Sequence, residues 1–146
     1  MQKLNMYCIT IHDSHLNLIK SLGYYPVGLG NTIKSKDFLR DNTKTNICEK
    51  NPFYGEYTFH YWLWKNGIEL PENTWIGFCQ YRKFWSTTNE VKKIKNIQIL
   101  NDLVLKEIPN EYIGYDSILG ESLFINQFKF SKFIKQNFKT MLKKPV

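Results

Sequence analysis

Asn51-Pro52-Phe53-Tyr54-Gly55-Glu56-Tyr57-Thr58-Phe59-His60-Tyr61-Trp62-Leu63-Trp64-Lys65 and Trp75-Ile76-Gly77-Phe78-Cys79-Gln80-Tyr81-Arg82-Lys83 are the two runs, inside Thr43 to Trp85, whose reading decides the fold. Asn51 can accept from free helix N–H groups, and Pro52, which has none to donate, suits a first helical position. A helix is therefore expected to begin there and to run unbroken from Phe53 to Lys65. Phe53, Tyr57, Tyr61 and Trp64 recur at helical spacing and predict one apolar face, with Glu56 and His60 on another. After Asn66-Gly67 and Pro71, the run Trp75 to Cys79 is short, apolar and bounded by turn residues, as a buried strand would be. It empties into Gln80-Tyr81-Arg82-Lys83, where polar chemistry replaces apolar packing.

Upstream, Met6-Tyr7-Cys8-Ile9-Thr10-Ile11 is a β-rich apolar run ending in polar His12-Asp13-Ser14, and it predicts a first, central strand. Ser14 or Asp13 should cap a helix through Leu16, Ile19 and Leu22, stopped by Gly23. Tyr24 to Leu29 reads as a second strand, with Pro26 marking an edge or irregular position. Such a β-α-β opening builds a parallel sheet, so Met6 to Ile11 and Trp75 to Cys79 are expected to lie adjacent and parallel in one sheet. Ligands of parallel sheets sit at the carboxyl ends of strands, which singles out His12 and the turn after Cys79. Gly30 to Asn51 is a long polar connection of the kind that often carries function. Ile97 to Ile108 reads as a helix stopped by Pro109.

A chain of 146 residues is expected to form a single domain, 1–146, with a real core. Its 16% aromatic content argues against disorder. Three widely spaced cysteines without a C-x-x-C pair point away from a disulfide framework or a zinc site and toward a reducing compartment. No apolar run resembles a signal peptide or spans a bilayer, so a cytoplasmic protein, soluble or peripheral at the inner face of the membrane, is expected. The net charge of +7 is concentrated at the end of the chain, because six lysines follow the last acid, Glu121. Lys129, Lys132, Lys135, Lys139 and Lys143 repeat on one side of an expected amphipathic helix at about 128–144. That side fits either an anionic membrane surface or ordinary solvation.

The strings Asn46-Ile47, Lys50-Asn51-Pro52-Phe53-Tyr54-Gly55-Glu56, Tyr61-Trp62-Leu63-Trp64-Lys65-Asn66 and Gly77-Phe78-Cys79-Gln80-Tyr81-Arg82-Lys83-Phe84 resemble a bacterial polysaccharide-biosynthesis family. It was long catalogued as a domain of unknown function and is described as capsular or exopolysaccharide glycosyltransferases. Thr10-Ile11-His12 is similar to the family's ending of its first strand. The resemblance implies an α/β fold of GT-A-like, Rossmann-related type: a mostly parallel sheet flanked by helices, incomplete here on its C-terminal side because family domains are longer. It further implies a nucleotide-sugar donor and a glycan or lipid-linked acceptor. The chain departs from the family pattern at Lys44-Thr45, where Gly-Asp is usual, at Gln80 in place of His, and at Lys83 in place of a second Arg.

Departure of a nucleotide diphosphate needs its charge neutralised, commonly by a divalent ion on an Asp-x-Asp turn. No Asp-x-Asp exists here, so no metal ligands are assigned, although a divalent ion stays open as a cofactor. At the expected position stands Tyr81-Arg82, and an Arg binds phosphate bidentately. Thr10, His12, Asn46, Asn51, Tyr81 and Arg82 are therefore the candidate donor-binding residues and Glu56 the candidate general base, with His60 and Asp116 as candidate acceptor contacts. Each also has a plain structural reading, as a cap, a core histidine or an ion-paired acid. Two other classes compete with a glycosyltransferase. One is a non-catalytic shortened relative or partner subunit. The other is a nucleic-acid-binding module, which the phenylalanines on the apolar side of the basic helix argue against.

Overall fold

The computed structural model describes residues 2–86, 88, 94, 96–120, 131 and 134. Contacts divide the chain into two compact units, Met1–Ile113 and Gly114–Val146. The expected basic helix at 128–144 lies outside the described residues except for Ser131 and Ile134, both helical and exposed. The first unit is built on β1 (Gln2–Thr10), whose residues from Asn5 onward are all buried. Such a strand must be covered on both faces and paired on both edges. A 3-10 turn (Asp13–His15) leads into α1 (Leu16–Ser21), and Gly23, at φ 75°, reverses the chain into β2 (Tyr25–Gly28). β3 (Leu39–Arg40), α2 (Asn51–Tyr54), α3 (Tyr57–Asn66), β4 (Trp75–Gln80), α4 (Ile97–Leu103) and β5 (Glu107–Ile108) follow.

The main path of the sheet runs β3-β2-β1-β4, all parallel, and β5 pairs antiparallel with the start of β1. The expected neighbours are in register from Leu4↔Trp75 to Ile9↔Gln80. Pro26 pairs with Cys8, but β3 reaches only Val27 and Gly28, so the missing Pro26 N–H falls where no further strand asks for it. Alternation sends Met6 and Cys8 to one face, with Cys79, Ile19, Leu22, Tyr24 and Val104, and Tyr7 and Ile9 to the other, with Val27, Phe59 and Trp62. α1 thus covers one side and α3 the other, in a three-layer α/β arrangement. Cys8, Cys48 and Cys79 are free and buried.

Four local expectations are corrected. The helix from Pro52 is not continuous: Gly55 adopts φ 55°, ψ −128°, and separates α2 from α3. Only glycine takes that conformation without steric cost, and the break re-aims the second helix toward the sheet. Asn51 is not the cap; its Nδ2 donates to Gly55 O at 2.9 Å and to Thr58 Oγ1 at 3.3 Å, clamping the break. The apolar face is also inverted. Thr58, Phe59 and Trp62 are buried, whereas Phe53, Tyr57 and Trp64 are 72%, 67% and 72% exposed. Aromatics surround this helix, so periodicity alone cannot choose a side. Trp62 supplies the deciding handle, because its Nε1 donates to Thr43 O at 2.8 Å while its ring stacks with Phe59. Finally, the helix from Ile97 ends at Leu103. Val104 turns extended, Leu105 N donates to Trp85 O at 2.9 Å, and the chain joins β1 as β5.

Phe59→Ala should therefore cost about 3–5 kcal/mol in urea unfolding, and Trp64→Ala less than about 1 kcal/mol. The opposite ranking would restore the uninterrupted face that spacing suggests.

Candidate functional site

Because β1, β2, β3 and β4 are parallel, their carboxyl ends meet along one edge of the sheet. β4 ends there in a tight reversal: Gln80 N donates to Lys83 O at 3.3 Å and Lys83 N to Gln80 O at 3.0 Å. That leaves Tyr81 and Arg82 at the tip. Tyr81 N donates to Ile9 O at 3.2 Å, so the tip stays fastened to the end of β1.

On the α1 side, Thr10 is buried, and its Oγ1 accepts from His12 N at 3.1 Å. The same oxygen shares a 2.7 Å hydrogen bond with His15 Nδ1, the donor being set by the imidazole tautomer. His15 stacks on Tyr81 with ring centroids 4.0 Å apart and planes 14° from parallel, and His12 stands edge-on to both rings. The exposed Arg82 guanidinium lies 5.1 Å from the Tyr81 ring centre. Burial, and then the neighbouring His12, hold the His15 pKa below the usual histidine value. Asp13, expected as a cap, accepts from Lys34 N and Ser35 N instead, and those bonds pull its carboxyl below the usual range.

On the α3 side, Gln80 Nε2 donates to Glu56 Oε2, which ties the start of α3 to the end of β4. His60, one turn on, meets Phe78 edge-to-face at 4.7 Å. Burial lowers its pKa and Glu56 partly opposes this. Asp41 is wholly buried just after β3, where Oδ1 accepts from Gly30 N at 2.8 Å and Oδ2 from Thr58 Oγ1 at 2.6 Å. Gly30, at φ 63°, lies beside Asn51, because a Cβ there would come 3.6 Å from Asn51 Oδ1. Asn46 bonds within its own loop, donating to Lys44 O at 2.9 Å and accepting from Cys48 N at 3.2 Å.

The structure thus joins Thr10, His12, Tyr81 and Arg82 in one cluster and ties Glu56 to the same turn, while Asn46 and Asn51 make loop contacts. Asp116 belongs to the second unit. His15, Asp41 and Thr58 complete the edge and were not singled out from sequence. The spacing of His15 from His12 is a weak signal, and the partnership of Asp41 with Thr58 has none. Asp13, Asp41 and Glu56 each accept from a different donor. No group of three His, Cys, Asp or Glu side chains is gathered among the described residues.

Fold and edge together define an open, mostly parallel α/β domain with its polar groups collected at the strand ends. The chain belongs to the family described as a domain of unknown function, DUF4422, whose profile matches residues 6–144. It is similar to a solved apo structure of WbbM, a bifunctional glycosyltransferase, at 28% identity and a TM-score of 0.43, over 60% of this chain and 15% of that one. The chain thus spans a small part of that protein's length. Nothing matches among the curated proteins. No helix of the described residues is long and apolar enough to cross a membrane.

Because His15 and His60 are both held below 6.5, the folded state disfavours their protonation, whereas the unfolded chain takes up protons near that value. Their contribution to stability should be complete above about pH 7 and fall as pH drops through about 6.5. Urea midpoints between pH 7.5 and 5.5 should decline in the natural chain and decline less in a His15→Gln, His60→Gln double variant.

Proposed function

We propose that this domain transfers a sugar from a nucleotide-sugar donor to a growing cell-surface polysaccharide, capsular or exopolysaccharide, at the cytoplasmic side of the membrane. The observation that carries the reading is the position of the Tyr81-Arg82 tip beside the end of β1, on the edge where open α/β sheets bind nucleotides. The motif resemblance at Lys50 to Glu56 and Gly77 to Phe84 supports it independently. In this mechanism Arg82 faces the donor diphosphate, and Thr10 and His12 line the same end. An acceptor hydroxyl oxygen bonds to the anomeric carbon while the bond from that carbon to the diphosphate oxygen breaks. The diphosphate leaves with the electron pair and Arg82 offsets its growing charge. Glu56, oriented by Gln80, takes the acceptor proton. Asn46 and Asn51 serve the donor side, and His60 serves the acceptor. The lysine-rich segment at 128–144 suits an anionic membrane bearing a lipid-linked acceptor.

Arg82→Ala should lower transfer about a hundredfold, on the order of 3 kcal/mol, and weaken nucleotide-sugar binding in calorimetry with or without chelator. Unchanged affinity would defeat the phosphate role. A second reading, a non-catalytic relative or partner subunit, is favoured by the loop at Lys44. Lys44 keeps a left-handed φ of 48° where the family pattern has glycine, while the adjoining acid is replaced by Thr45. A natural chain that binds no donor would establish that reading.

A further inference from the structure

We propose that His15 is a positioning residue for Arg82: held by Thr10 and stacked on Tyr81, its imidazole fixes the tip that carries the guanidinium. The inference rests on the phosphate role of Arg82 proposed above. An exposed arginine at a turn tip is free to sample many rotamers, and an anion that captures it must pay for ordering it. Here the contacts form a continuous chain that reduces this freedom. At its base is Thr10, buried at the end of β1, with its hydroxyl engaged by both His12 N and His15 Nδ1. The imidazole then lies flat against Tyr81 at 4.0 Å, and the opposing edge of His12 limits sliding. Tyr81 also packs against the α1-side core, so its ring is fixed from below. Arg82 rests over that ring at 5.1 Å, within the range of a cation–π contact. A neutral imidazole suits this place, because burial disfavours its charge and a protonated ring would repel the neighbouring Arg82 guanidinium. Asp13, on the turn that leads to His15, is occupied by Lys34 N and Ser35 N.

The alternative is that His15 only stabilises the start of α1. Two variants separate the contacts: His15→Gln can keep a hydrogen bond to Thr10 but loses the stack, and His15→Phe keeps the stack but loses the bond. Side-chain NMR of the Arg82 Nε–Hε group reads its mobility directly. His15→Gln should raise that mobility, with His15→Phe intermediate, whereas unchanged Arg82 relaxation in both variants would overturn the proposal. Calorimetry with inorganic pyrophosphate supplies the second arm. His15→Gln should weaken binding about tenfold in the natural background and leave it unchanged in an Arg82→Ala background. An undiminished loss in the Arg82→Ala background would also overturn it. If the natural chain binds no pyrophosphate, the reading of function falls, and Arg82 relaxation still decides the role of His15.

Discussion

The parallel pairing of β1 with β4 is the constraint on which the rest depends. Because Leu4 to Ile9 lie in register with Trp75 to Gln80, both strands end at the same level, and whatever follows each is delivered to the same edge. The pairing also fixes which side chains face which layer. Gly77 sits against the first strand where a Cβ would come within 2.7 Å of Met6 Cε, so the small residue lets β4 approach closely. Gly28 does the same for the loop after β2, where a Cβ would meet Ile33 Cγ1 at 2.7 Å. Burial of Ile33 over β2 holds that loop in place for Gly30 and Asp41.

From this frame the edge acquires two differently built halves. The α1 half is a pile of rings rooted in Thr10 beneath the Arg82 guanidinium, with chemistry suited to anions. The α3 half is a network of neutral and acidic groups in which Asp41, Thr58 and Asn51 brace the Gly55 break and Glu56 reaches Gln80. A buried carboxylate with two hydrogen-bond partners is costly to disturb, so Asp41 makes the loop beside Gly30 rigid rather than adaptable. Gln80 belongs to both halves, through its side chain toward Glu56 and through the reversal that presents Arg82.

Much of this was legible in the residues. The apolar runs at Met6 to Ile11 and Trp75 to Cys79 announced adjacent parallel strands, and the polar residues after each marked the edge where those strands end. What the sequence could not convey were choices made by distant partners. Tyr57, Tyr61 and Trp64 have the spacing of a buried stripe, but Phe59 and Trp62 have it too, and only contact with Tyr7 and Thr43 selects the second set. Asn51 and Asp13 look like caps, yet each finds a better partner elsewhere, across the Gly55 break or at Lys34 and Ser35. Ile97 to Ile108 reads as one helix because its last turn is apolar, but Ile108 is claimed by the free start of β1. His15 remained hidden because its meaning lies in Tyr81, far along the chain.

The most direct measurement of the central claim, that one strand edge holds the nucleotide, is amide chemical-shift mapping of the labelled chain titrated with a nucleoside diphosphate. The account predicts that perturbations concentrate at Thr10 to His15, Gly28 to Gly30 and Gln80 to Lys83, with Gln2, Lys3, Trp75 and Ile108 at the opposite edge unmoved. Shifts centred on that opposite edge, or none at saturating nucleotide, would contradict it.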